Sequence, residues 1–129
     1  MANQFSAYDQ ADILAALKQN VTAGTVQTDE ETLQHQSYSA QVAGQHAPAL
    51  AFISAKSVAD VQGVMKVARQ FHLPVVTQNR FTSTVIGADA VSGALLLSTA
   101  QMDKILELNT ADAYAVVQPG VINGDLDKE

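Results

Sequence analysis

Apolar residues recur at helical spacing across residues 8–20, where Ala11, Ile13, Leu14, Ala15 and Leu17 form one stripe and predict a first helix. Residues 21–28 show no period and read as an irregular connection. A short helix is expected over residues 29–37, with Thr28 as its N-cap and acids in its first turn. Residues 39–48 are polar and read as loop. The pattern then sharpens. Residues 49–54 form an apolar, strand-like run. Ser57 has the chemistry of an N-cap, and Asp60 follows three residues later, a variant of the capping box. Val58, Val61, Val64, Met65, Ala68 and Phe71 return at helical spacing and are expected to be core. Pro74 stops the helix, because a residue before proline is pushed out of the α region. Residues 75–78 read as the next strand. A strand–helix–strand unit of this kind places its two strands parallel, joined by a right-handed crossover.

Residues 79–92 are rich in Thr, Ser, Gly and Ala. Residues 94–99 predict a third strand. Two further strands over residues 104–108 and 114–118 flank the polar residues 109–113 and predict a hairpin. Pro119-Gly120 ends the last strand. Residues 121–129 begin a helix with Asn123 or Asp125 as cap. The fold class expected is therefore α/β (α+β): a small parallel sheet with flanking helices plus an antiparallel hairpin.

Composition narrows the function. The chain has 129 residues, 47% of them apolar and 5% aromatic, so its core must be aliphatic. The net charge is −6 and the seven basic residues are dispersed, which excludes the clustered cations a nucleic-acid binder needs. An anionic membrane surface is an equally poor match. No run of apolar residues reaches the length of a membrane span. There is no cysteine, which removes disulfides, thiolate metal sites and cysteine nucleophiles, and fits a cytoplasmic setting. Residues 1–12 lack the basic-then-apolar order of a secretory signal. His35, His46 and His72 match no metal-ligand spacing. Asp103, Glu107, Asp112 and the acidic tail from Asp125 read as solvated surface.

Three stretches carry a family resemblance. One is Lys56-Ser57-Val58-Ala59-Asp60-Val61 with its helix and the Leu73-Pro74-Val75-Val76 beyond it. Another is Gly93-Ala94-Leu95-Leu96-Leu97-Ser98 through Met102-Asp103-Lys104-Ile105-Leu106-Glu107-Leu108. The third is Ala115-Val116-Val117-Gln118-Pro119-Gly120-Val121. Their order and spacing resemble the FAD-binding domain of the p-cresol methylhydroxylase/vanillyl-alcohol oxidase type, as found in glycolate oxidase subunits and D-lactate dehydrogenases. The resemblance divides the chain into an N-terminal helical segment, 1–47, and the first lobe of an FAD-binding domain, 48–129, cut before the substrate half. It implies that the segment after Val76 cradles the FAD diphosphate, and it points to Asn79, Arg80, Thr82, Ser83, Thr84, Gly87 and Ala88. Backbone N–H groups in such a loop form an anion-binding nest, to which hydroxyls add donors without charge. Against the family's Arg-Gly-x-Gly-Thr, Asn79 stands at the first glycine, Phe81 at the second, and Thr82 at the threonine. Ala55 replaces a family proline.

The activity implied is oxidation of a small 2-hydroxy acid, glycolate or D-lactate, with hydride passing to the flavin. No catalytic residue falls within these 129 residues, and the piece alone is expected to be inactive and to hold FAD weakly. Self-association is expected at an uncovered sheet edge. Phe81 in the loop supports an alternative, a flavin-less domain serving as a binding or assembly module. A third reading, a cell-wall precursor reductase of the same superfamily, fits the 102–108 stretch less well.

Overall fold

The computed structural model describes residues 9–37, 49–79 and 91–129. The first helix, α1 (Gln10–Asn20), is capped by Asp9, whose carboxylate accepts from Ala11 N at 3.1 Å; Ile13 and Leu17 are its buried side. The connection after it is not wholly irregular. Residues Thr25–Gln27 form a short strand, β1, with only Val26 turned inward. Three residues carry too little alternation to be read from sequence; pairing with the next strand is what makes them a strand. The second helix, α2 (Glu30–Gln36), is capped by Asp29, which accepts from Thr32 N at 2.8 Å, and not by Thr28. A carboxylate at that position satisfies an orphan N–H and also meets the positive end of the helix dipole.

Strand β2 (Ala51–Ser54) leads into α3 (Val58–Phe71). Ser57 caps α3 as expected, its hydroxyl accepting from Asp60 N at 3.2 Å. The buried face of α3 is Asp60, Gly63, Val64, Val67, Ala68 and Phe71, whereas Val58 and Met65 are exposed. The expected stripe was thus partly misplaced: Val58 and Met65 lie seven residues apart, on one line of the helix that faces solvent. Gly63 marks the closest approach of the two long helices. A Cβ there would stand 2.2 Å from the carbonyl oxygen of Asn20, so a side chain would force α1 off α3. The helix ends at His72, whose φ of 53° places it in the left-handed region, two residues before Pro74.

Strand β3 (Val75–Gln78) and strand β4 (Leu95–Ser98) complete a four-stranded sheet in the order β1-β2-β4-β3. β2 and β3 run parallel, as the strand–helix–strand pattern requires, but β4 is inserted between them and pairs with both. β1 is antiparallel at the β2 edge. On one face, Ala51, Ile53, Leu95 and Leu97 pack against Ile13 and Leu17 of α1 and Val64 and Val67 of α3. On the other, Ala49, Phe52 and Leu96 pack with Val76 and with Leu33 of α2.

Asp60 ties these layers together. It is fully buried, and its carboxylate accepts from Thr22 N (3.1 Å), Ala23 N (3.2 Å) and Lys56 N (3.0 Å). Burial pushes its pKa up. The N–H groups of Lys56, Ala23 and Thr22 and the Ser57 hydroxyl outweigh burial and hold the carboxyl below its ordinary value.

A separate hairpin follows: β5 (Ile105–Asn109) and β6 (Tyr114–Val117), with a bulge between Ile105 and Glu107. Its turn is closed by Asn109 and Asp112, and Ala113 is left-handed at φ 54°. The chain continues into a single turn, α4 (Asn123–Leu126). Its N-cap is Ile122 and it has no side-chain cap bond, so neither Asn123 nor Asp125 serves as the expected cap; Asn123 is already helical.

Candidate cofactor recess

Strand alternation puts every second residue on one face, and the register then determines which residues stand side by side. On the α2 face, Gln27, Phe52, Leu96 and Val76 form a mostly apolar row. One step toward the carboxyl ends of the parallel strands, Thr25 is opposite Ser54, Ser54 opposite Ser98, and Ser98 opposite Gln78. A continuous polar row thus crosses the whole sheet at one level. Ser54 and Ser98 are buried within it. Polar side chains in a buried sheet carry a desolvation cost unless something binds to them.

A recess of about 680 Å³ opens over this row. Thr25, Ser54 and Ser98 supply hydroxyls, and Gln27, Gln36, Asn79 and Gln101 supply carboxamides. Phe52 forms an apolar patch of the floor. Asp103 is the one carboxylate among the described lining residues, which include no cationic side chain. Gln36 reaches over from α2, its Oε1 accepting from Gln78 Nε2 at 3.1 Å. Ser98 Oγ accepts from Ala100 N at 3.3 Å and shapes the turn that leaves β4.

The same edge gathers two stretches far apart in sequence. Asn79, the residue after β3, donates its Nδ2 to the carbonyl oxygen of Pro119. Gly120 N donates to Met102 O at 2.7 Å. Gly120 rests against three carbonyl oxygens: a Cβ there would stand 2.5 Å from that of Ala100 and 2.8 Å from those of Met102 and Thr99. Thr99 N in turn donates to Gln78 O at 3.1 Å. The Pro119-Gly120 turn is therefore lodged between the end of β3 and the turn after β4.

Of the residues proposed from sequence, Asn79 lines the recess. Arg80, Thr82, Ser83, Thr84, Gly87 and Ala88 lie outside the described residues, as do Phe81 and His46. Sequence reasoning overlooked Thr25, Ser54, Gln78 and Ser98. The signal was present in the two fully apolar runs, Ala51-Phe52-Ile53 and Leu95-Leu96-Leu97, which each end on a serine. Asp103, Glu107 and Asp112 are exposed, and no group of three or more His, Asp or Glu among the described residues is placed to hold a metal ion. No described helix is long and apolar enough to cross a membrane.

A mostly parallel sheet with a polar recess at the carboxyl ends of its strands defines a nucleotide-binding α/β lobe, since open sheets of this class bind ligands there. The chain belongs to the FAD binding domain family, whose model matches residues 49–129. It is 32% identical over 115 residues to D-2-hydroxyglutarate dehydrogenase of Stutzerimonas stutzeri, a match covering 88% of this chain and 24% of that protein. It is 28% identical over 116 residues to glycolate oxidase subunit GlcD of Escherichia coli, covering 89% of this chain and 23% of that one. Among solved structures, 4-ethylphenol oxidase from Gulosibacter chungangensis, in its isoeugenol complex, superposes with a TM-score of 0.80 at 26% identity, over 92% of this chain and 23% of that chain. The chain spans about a quarter of the length of these curated relatives. The cofactor of the family is FAD, and the donor set of the recess fits it: uncharged hydroxyls and amides suit its sugar hydroxyls and ring edges, and the Gly120 cradle brings backbone close to the site.

Proposed function

We propose that this chain is the nucleotide-holding lobe of an FAD-dependent oxidoreductase that oxidises a small 2-hydroxy acid such as glycolate or D-lactate. The observation that carries this is the polar row Thr25–Ser54–Ser98–Gln78, which ends beside Asn79, where the loop after β3 begins. In this reading Asn79, Arg80, Thr82, Ser83, Thr84, Gly87 and Ala88 face the diphosphate, and the recess takes an uncharged part of the cofactor. FAD, when bound, supplies the hydride acceptor. The work of the chain is to bind and orient it. With a net charge of −6, that work rests on N–H dipoles, hydroxyls and Arg80 rather than on a general positive field.

NMR titration of the 129-residue chain with FAD tests the site. Amide shifts should centre on Gln78, Asn79 and residues 98–101, with an affinity on the order of 1 mM, or about −4 kcal/mol. An absence of shifts at the recess overturns the reading in favour of a flavin-less binding module. The similarity to 4-ethylphenol oxidase favours a second reading for the substrate, a 4-alkylphenol. Anaerobic bleaching of the flavin in the complete gene product separates the two: D-lactate or glycolate bleaches it under the first, 4-ethylphenol under the second.

A further inference from the structure

The β5–β6 hairpin forms its own two-stranded sheet, and its base meets the four-stranded sheet where the Pro119-Gly120 turn is lodged. Asn79 stands at that meeting point. It is the first residue after β3, and its carboxamide is committed to Pro119, a residue 40 positions away. Pro119 has no N–H, so the turn offers Asn79 a carbonyl acceptor and no donor. We propose that Asn79 is a positioning residue: its side chain latches the start of the loop after β3 onto the Pro119-Gly120 turn, and thereby fixes the direction in which that loop meets a bound diphosphate. The side chain serves the latch, and only the main chain of Asn79 is left to face the ligand. The inference rests on the FAD reading for its ligand. The latch itself does not.

The test compares the wild-type chain with Asn79→Ala and Asn79→Gln. Adenosine and ADP are the probes, since they differ by the diphosphate alone, and each is titrated by NMR. Amide exchange of Gly120 is measured without ligand, because its N–H is bonded across the junction to Met102. In Asn79→Ala, ADP affinity should fall about fivefold, the loss expected for one side-chain hydrogen bond, while adenosine affinity holds and Gly120 exchanges faster. Asn79→Gln, which keeps the donor, should recover part of both effects. Weakened ADP binding with unchanged Gly120 exchange would make Asn79 a direct ligand and overturn the latch. Faster exchange with unchanged ADP affinity would reduce it to a structural contact and overturn it equally. A wild-type chain that binds neither ADP nor FAD brings down the FAD reading first, a result distinct from either.

Discussion

The four-stranded sheet and the β5–β6 hairpin are made of the same kinds of residue and treat them in opposite ways. In the sheet, Ala51, Ile53, Leu95, Leu96 and Leu97 are sealed between helices on both faces. In the hairpin, Leu106 is 60% exposed, Leu108 46% and Val116 43%, and neither face is covered by a helix among the described residues. Apolar pattern therefore specifies a strand in both places but burial in only one. The sheet draws its stability from packing, whereas a lone two-stranded hairpin is marginal in water and depends on its attachment. Mutations should divide the same way, with large effects in the sheet and small ones in the hairpin.

The largest effect is expected at Leu97, buried between β4 and the α1–α3 layer. Leu97→Ala removes that packing and leaves a cavity, costing about 3–4 kcal/mol. Urea denaturation reads it directly. A cost under about 1 kcal/mol would mean that the sheet is no better packed than the hairpin.

Asp60 comes next. Asp60→Ala orphans the N–H groups of Thr22, Ala23 and Lys56 together, and should cost about 3 kcal/mol. The effect depends on pH in a fixed sense. The folded-state pKa lies below the ordinary 3.8, so the native state favours the charged form. The stabilisation is complete well above pH 3.8 and is lost as the pH falls through the depressed folded value. The stability gap between wild type and Asp60→Asn should accordingly be constant from pH 7 to 5 and close below about pH 4. A gap that widens in acid would show that the carboxylate is not the stabilising species.

These two sites also show what could be read from sequence. The β2–α3–β3 unit, β4 and the hairpin were legible because each has several turns or alternations of period behind it, and Ser57 with Asp60 announced a helix start. That Asp60 would also hold Thr22 and Ala23 was not legible: the contact joins residues 37 and 38 positions away through space. The insertion of β4 between β2 and β3 is a property of the sheet and not of any segment. The polar row was missed for a related reason. A serine closing an apolar strand reads as a boundary, and only the register shows that Ser54 and Ser98 stand side by side. In the candidate site, sequence named the loop after β3, and the structure added the floor beside it.

At the joint between the two regions, Gly120→Ala should have an intermediate effect. The added methyl meets carbonyl oxygens at 2.5–2.8 Å, and backbone carbonyls cannot rotate away as a flexible side chain could. The Pro119-Gly120 turn must lift, at about 1–3 kcal/mol. Because the turn belongs to the hairpin's base, amide exchange should rise throughout β5 and β6 and stay unchanged in β2 and β4. Faster exchange in β2 and β4 as well would mean that the two regions unfold as one unit and that the contrast between them is superficial.

The smallest effect on stability should come from the hairpin surface itself. Leu106 is the most exposed of its large apolar residues, so Leu106→Ser removes little packing and should shift stability by less than about 0.5 kcal/mol. Its consequence should lie in association. Leu106, Leu108 and Val117 together offer an uncovered apolar surface on a sheet whose edges are unpaired, and such surfaces pair with copies of themselves. Light scattering of the wild-type chain should show self-association rising with concentration, and Leu106→Ser should reduce it without moving the urea midpoint. If Leu106→Ser costs as much as Leu97→Ala, the leucine is packed after all. If the wild-type chain stays a monomer at high concentration, exposure of the hairpin is tolerated by charge repulsion at a net −6, a possibility that raising the salt to screen those charges would expose at once.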